Sequence, residues 1–169
     1  MQTRQIGPVA VSAIGLGGMP MSIEGRPDEE RSIRTIHAAL DAGVTLIDIA
    51  RRVLGDGNLA SVQNQFSPSF RSSEPELRHC ATRGIAFLPF SPLGGISRAG
   101  QLGERHAAFQ DVASAHGVSP QQVALAWMLA KAPAMIPIPG ASRPESVTDS
   151  AAAADLVLSN AELDRLDQA

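Results

Sequence analysis

The chain has 169 residues, 44% hydrophobic and 18% charged, with a formal net charge of −3, the profile of one ordinary globular domain. With 14 basic against 17 acidic residues and no block of like charge, neither a nucleic-acid partner nor an anionic membrane surface is indicated. Cys80 stands alone and excludes an internal disulfide. The amino-terminal stretch MQTRQIGPVAVSAIGLGGMP lacks the apolar core of a signal peptide or membrane span, so a reducing cytoplasm is the expected compartment.

In chain order, Arg4–Ile6 and Val9–Val11 flank Gly7-Pro8 and read as a small hairpin, followed by an apolar strand ending in Gly15-Leu16-Gly17-Gly18. The stretch PDEERSIRTIHAALDAG predicts a helix: Pro27-Asp28 starts it, Glu29 and Glu30 suit its first turn, and Gly43 follows its end. Val44–Asp48 is a short apolar run closing on a carboxylate. Ser61–Phe66 reads as a strand, Glu74–Arg83 as a helix closed by Gly84, and Ile85–Phe90 as a buried strand. Beyond the loop SPLGGISRAG, the pattern predicts helices over Glu104–His116 and Ser119–Lys131, the second capped by Ser119 with Pro120 at its first position. Ala134–Pro139 reads as a last strand, Pro144–Ala153 as a helix, and Ser159–Gln168 as a helix whose SNAE start resembles a capping box. Near-continuous apolar strands alternating with helices indicate a parallel α/β sheet, and by pattern alone leave doubly wound sheets and (β/α) barrels equally open.

Two absences bear on chemistry: there is no tyrosine, and Lys131 is the only lysine. Lys131 ends a helix and reads as a solvated cation, favourable at that terminus. His37, His79, His106 and His116 show no zinc-ligand spacing and read as satisfied or solvent-facing side chains.

The segments IGLGGMPMS, AALDAGVTLIDIA, VQNQFSP, GIAFLPFSPLGG, HGVSPQQVALAWMLA and IPIPGASRPESV together resemble the aldo-keto reductase family, in the family's order and over most of the chain. The resemblance implies a (β/α)8 barrel that binds NADP(H) and reduces small-molecule carbonyls by hydride transfer. Such enzymes use a tyrosine as general acid, helped by a lysine, a histidine and an aspartate. Asp48 matches that aspartate, whereas the tyrosine, lysine and histidine have no counterpart. Only IARRVLGDGNLA separates Asp48 from SVQNQFSP, which matches the sixth strand of relatives. Three βα units are therefore missing from the matched order. A barrel of this type typically needs about 250 residues. The expectation is a single domain over 1–169 with an internal deletion between about 50 and 60: an incomplete (β/α)8 barrel with about five parallel strands plus an N-terminal hairpin. Removing three strands leaves sheet edges through which copies could self-associate.

The resemblance also places a coenzyme cradle. Gln63 matches a contact to the nicotinamide carboxamide, with a packed interior strand residue as the alternative. Phe90 matches the ring that stacks on the nicotinamide, with a plain core aromatic as the alternative. Ser91, Leu93 and Gly94 match the segment around the pyrophosphate. Gly140, Ser142 and Arg143 precede the last barrel helix, whose N-terminus suits a phosphate, and Asp149 and Ser150 match positions near the adenine. The implied function is an NADP(H)-dependent oxidoreductase impaired by loss of its proton donor. The alternatives are a non-catalytic NADP(H)-binding or regulatory module and a non-functional gene remnant.

Overall fold

The computed structural model describes residues 1–7, 9–17, 28–45, 47–48, 61–95 and 97–169. Pro8, Gly18, Pro27 and residues 49–60, where the deletion was expected, lie outside them. Strands β1 (Thr3–Ile6) and β2 (Val9–Ser12) form the expected antiparallel hairpin, with Thr3 opposite Ser12 and Ile6 opposite Val9. Helix α1 (Glu29–Asp41) starts where Asp28 accepts the Arg31 N–H at 2.7 Å, and Gly43 turns the chain at φ 80°.

The remaining strands are all parallel. β3 (Leu16–Gly17) pairs with β4 (Ile47–Asp48), and β5 (Ser61–Gln65) pairs with β6 (Ala86–Phe90). Residues 134–140 join the two pairs: Met135 bridges Phe87 on one side and Gly140 bridges Gly17 on the other. The order across the sheet is therefore β4, β3, 134–140, β6, β5. Among the described residues no ladder joins β4 to β5, although only residues 49–60 separate them in sequence. The described residues thus form an arc of four parallel strands and one extended segment.

Two sequence expectations need correction. Residues 134–140 are extended but do not form a regular strand. In a parallel ladder residues 137 and 139 point their backbone groups at β3, and both are prolines. Their carbonyls accept from Gly15 at 3.0 Å and Gly17 at 2.9 Å, but they have no N–H to give back. The helix expected over Glu104–His116 is broken into α3 (Leu102–Arg105) and α4 (Ala107–His116) at His106, whose φ and ψ are −133° and 82°. Leu102 and Phe109 stay seven residues apart and buried either way, so the apolar spacing could not register the break.

Alternation along the strands separates two faces. Val62, Phe87 and Met135 lie on the face covered by α2 (Glu74–Arg83), α4, α5 (Pro120–Lys131) and α7 (Asn160–Asp167), in one core cluster. Fully buried Trp127 organises it, stacked on Phe66 at 5.7 Å and edge-on to Phe109 at 5.7 Å. On the opposite, inner face Ile6 and Val11 of the hairpin pack on Ala86, Leu88 and Ile136. At the other side α1 packs on α6 (Pro144–Ala152) through Ala39, Val44, Val147 and Ala151. No helix among the described residues is long and apolar enough to cross a membrane.

Candidate functional site

Because the four strands and the extended 134–140 segment run parallel, their C-terminal ends share one rim, the place where parallel α/β folds build their sites. Asp48 ends β4 there, in register with Gly17, and Gly17 also bridges Gly140. A Cβ on Gly17 would stand 3.0 Å from the Ile138 carbonyl oxygen and 3.2 Å from Gly140, so any larger side chain would push the segments apart.

Phe90 ends β6 on the inner face and is 41% exposed. The reading of it as a plain core aromatic is thereby corrected, because a core ring is buried and this one is exposed. Gln63 is likewise exposed rather than packed in the interior. It sits opposite Leu88 on the same face, so Phe90 is its diagonal neighbour two residues up the adjacent strand, about 7–8 Å away. Gln65, directly opposite Phe90, was missed by sequence matching; the two-residue alternation in QNQF is the signal that marks it.

Directly after Phe90 the backbone turns out of the sheet. Ser91 has φ 51°, the one non-glycine residue at positive φ among those described, and Gly94 and Gly95 follow at 83° and 96°. A non-glycine residue held in this region marks a loop fixed by its surroundings. The Gly94 N–H donates to the Ser91 carbonyl at 2.9 Å. Leu93 is the anchor, packed against two core clusters.

Across the rim Gly140 leads through Ser142 to Arg143, the exposed N-cap residue of α6. The Arg143 side chain makes no capping bond, so the first amides of α6 have no acceptor from their own N-cap residue. Asp149 and Ser150 lie further along α6. The Asp149 carboxylate accepts the Ser119 hydroxyl at 2.6 Å, and Ser150 is buried.

Lys131 is not a solvated cation. It lies 2.5 Å from Asp167 and 5.0 Å from the Trp127 ring centroid, with 17% of its side chain exposed. Burial opposes ionisation of Asp167, but hydrogen bonds from Lys131 and Trp127 outweigh it and hold the carboxyl below its usual range. Lys131 is thus committed on the helix-covered side. His116 bonds Glu162 at 2.8 Å and His106 bonds Ser69 at 2.8 Å, and His37 is exposed. Cys80 is buried, and burial with the nearby Glu76 charge raises its thiol pKa.

The model of the aldo/keto reductase family matches residues 52–169. Pyridoxine 4-dehydrogenase of Escherichia coli is 34% identical over 123 residues, which is 73% of this chain and 40% of that protein. An uncharacterized oxidoreductase of Schizosaccharomyces pombe is 34% identical over 65% of this chain and 35% of its own length. The chain spans well under half the length of these two relatives. Among solved structures, an aldo/keto reductase from Klebsiella pneumoniae in complex with NADP and acetate is 29% identical, with a TM-score of 0.57 over 64% of this chain and 38% of that one. A thermostable aldo-keto reductase bound to the inhibitor epalrestat shares the fold at a TM-score of 0.80 and 17% identity over 99% of each chain. On the family match, the aligned relatives and the arc of parallel strands, this chain belongs to the aldo/keto reductase family.

Proposed function

We propose that this chain is the coenzyme-binding portion of an NADP(H)-dependent oxidoreductase of small carbonyl compounds, with its proton-delivery groups missing. The observation that carries this reading is the exposed Phe90 ring at the sheet rim, followed at once by the left-handed Ser91–Gly95 loop. NADP(H), when bound, supplies the hydride. Phe90 would offer its face to the nicotinamide and Gln63, its diagonal neighbour, the carboxamide contact. Ser91, Leu93 and Gly94 would carry the pyrophosphate. Gly140, Ser142 and Arg143 would take the phosphate end at the uncapped start of α6, with Asp149 and Ser150 toward the adenine. That a Klebsiella relative 29% identical to this chain was solved in complex with NADP supports coenzyme binding.

Reduction of a carbonyl builds charge on oxygen and needs an acid within hydrogen-bond reach. The sequence holds no tyrosine, Lys131 is engaged by Asp167, and Asp48 is what is left of the family's tetrad. Loss of general acid catalysis is typically worth about 10²–10⁴ in rate. The same features fit a non-catalytic NADP(H)-binding or regulatory module. A compartment without disulfide chemistry, the cytoplasm, suits the single buried thiol of Cys80. The open sheet edges are proposed to be covered by a second copy.

The test is titration of the purified chain with NADPH, followed by coenzyme fluorescence, and then an assay of NADPH consumption with simple aldehydes. Saturable binding with turnover depressed by at least a hundredfold relative to complete family members is expected. Absence of binding would sink the cradle assignment and favour a gene remnant; turnover at family rates would sink the loss of the proton donor.

A further inference from the structure

Among the described residues six large apolar side chains are exposed, and three of them, Met1, Ile33 and Leu40, gather along α1. Ile33 is 46% and Leu40 54% exposed. They stand two helical turns apart, so they lie on one face about 10 Å from each other. Half-buried Ile36 sits beside both, three residues from one and four from the other. Met1 extends the patch past the helix end, where a Cβ on Gly43 would stand 3.2 Å from the Met1 Cβ. Single exposed apolar residues are ordinary, but a contiguous patch marks an interaction surface.

The fold accounts for the patch. Buried Thr35 and Ala39 mark the inward face of α1, and Ala39 packs with Leu16 and with Val147 and Ala151 of α6. In a ring of βα units each outer helix lies between two others. Helix α6 is one neighbour of α1, and the units that would supply the other are missing from the family's order. The polar border of the patch carries both signs. Arg34 and Asp41 each follow one of the exposed apolar residues, with exposed His37 between them. Arg34 pairs with Glu30 of its own helix, and Asp41 has no ion-pair partner among the described residues.

We propose that this patch is a self-association surface, on which α1 of a second copy lies antiparallel across a twofold axis. A twofold interface uses the same surface on both copies, so that surface must complement itself. Antiparallel, Ile33 of each copy faces Leu40 of the other, and Ile36 and Met1 fill the margin. The same offset brings Arg34 of each copy beside Asp41 of the other. Parallel helices would instead set Arg34 on Arg34 and Asp41 on Asp41, and like charges in contact oppose association. The order of the charges therefore selects the antiparallel pairing. This surface lies on a helix, apart from the sheet edges, and pairing through it requires no coenzyme.

The test is analytical ultracentrifugation of the full chain over a rising concentration series, with Ser61→Lys present throughout so that pairing through the β5 edge does not report. One helix face buries less than about 1,200 Å², the size of a transient interface, so a reversible monomer–dimer equilibrium is expected. Adding I33E/L40E, which would place carboxylates in the apolar contact, should weaken dimerisation at least about tenfold. Both positions are exposed, and circular dichroism would verify that the fold persists. Asp41→Arg alone sets like charges together and should weaken dimerisation at least about twofold, while R34D/D41R exchanges the two signs and should restore it. Val157→Glu, at an exposed apolar residue outside α1, should change nothing. A dimer that persists in I33E/L40E, or an Asp41→Arg defect that R34D/D41R leaves unrepaired, would overturn the pairing. A Ser61→Lys chain that stays monomeric at every concentration would also overturn it, by leaving the patch to other residues of this chain or to a different protein. Failure of NADPH binding leaves this surface standing.

Discussion

Phe90 is the residue at which packing and chemistry part. The ring interrupts no core contact network, yet its exposed face is the surface on which a flat heterocycle can stack. Aromatic stacking is worth about 0.5–1.5 kcal/mol beyond area burial. Phe90→Leu keeps an apolar side chain but deletes the π face, so NADPH should bind about 2- to 12-fold more weakly in a fluorescence titration, with the melting temperature essentially unchanged. A Phe90→Leu chain that bound NADPH as tightly as the parent would remove Phe90 from the cradle. Phe90 was visible in the sequence as an aromatic ending a buried strand, but its exposure was not, since that depends on which distant segments pack near the rim.

At the scale of elements, α7 carries its own stability device. Ser159 accepts the Glu162 N–H at 3.3 Å, and the Glu162 carboxylate accepts the Ser159 N–H and hydroxyl, each at 2.7 Å. These bonds, with the one from His116, lower the Glu162 pKa from 4.5 to about 2. Since the folded value lies below the unfolded one, the ionised group contributes fully above pH 4.5 and its contribution disappears as pH falls toward 2. Melting temperature should therefore drop across that window, and Glu162→Gln should flatten this part of the profile; an unchanged slope would show that other carboxylates govern it. The capping box was legible because all its partners lie within four residues. The break at His106 and the failure of 134–140 to form a full strand were not. The first depends on Ser69 across the molecule, and the second on which neighbour Pro137 and Pro139 face.

For the molecule as a whole, the outer strands β4 and β5 each carry one ladder partner among the described residues. Strand edges of this kind recruit another chain unless charge or cover prevents it. Gel filtration should show an apparent mass above 17.7 kDa that rises with concentration. Ser61→Lys, which sets a cation on the β5 edge, should shift the chain toward the monomer. A monomer at all concentrations would show that the edges are covered from within.

The alternation of strand and helix, the helix caps, the family and the loss of the phenol were determined by the sequence alone, because each rests on residue identity or on spacings of a few positions. The tertiary structure decided the rest. It set the order of the four parallel strands and the extended 134–140 segment, left Phe90 and Gln63 exposed, paired Lys131 with Asp167, and joined Ser69 to His106. Each of these rests on contacts between residues distant along the chain, and local periodicity carries no record of them.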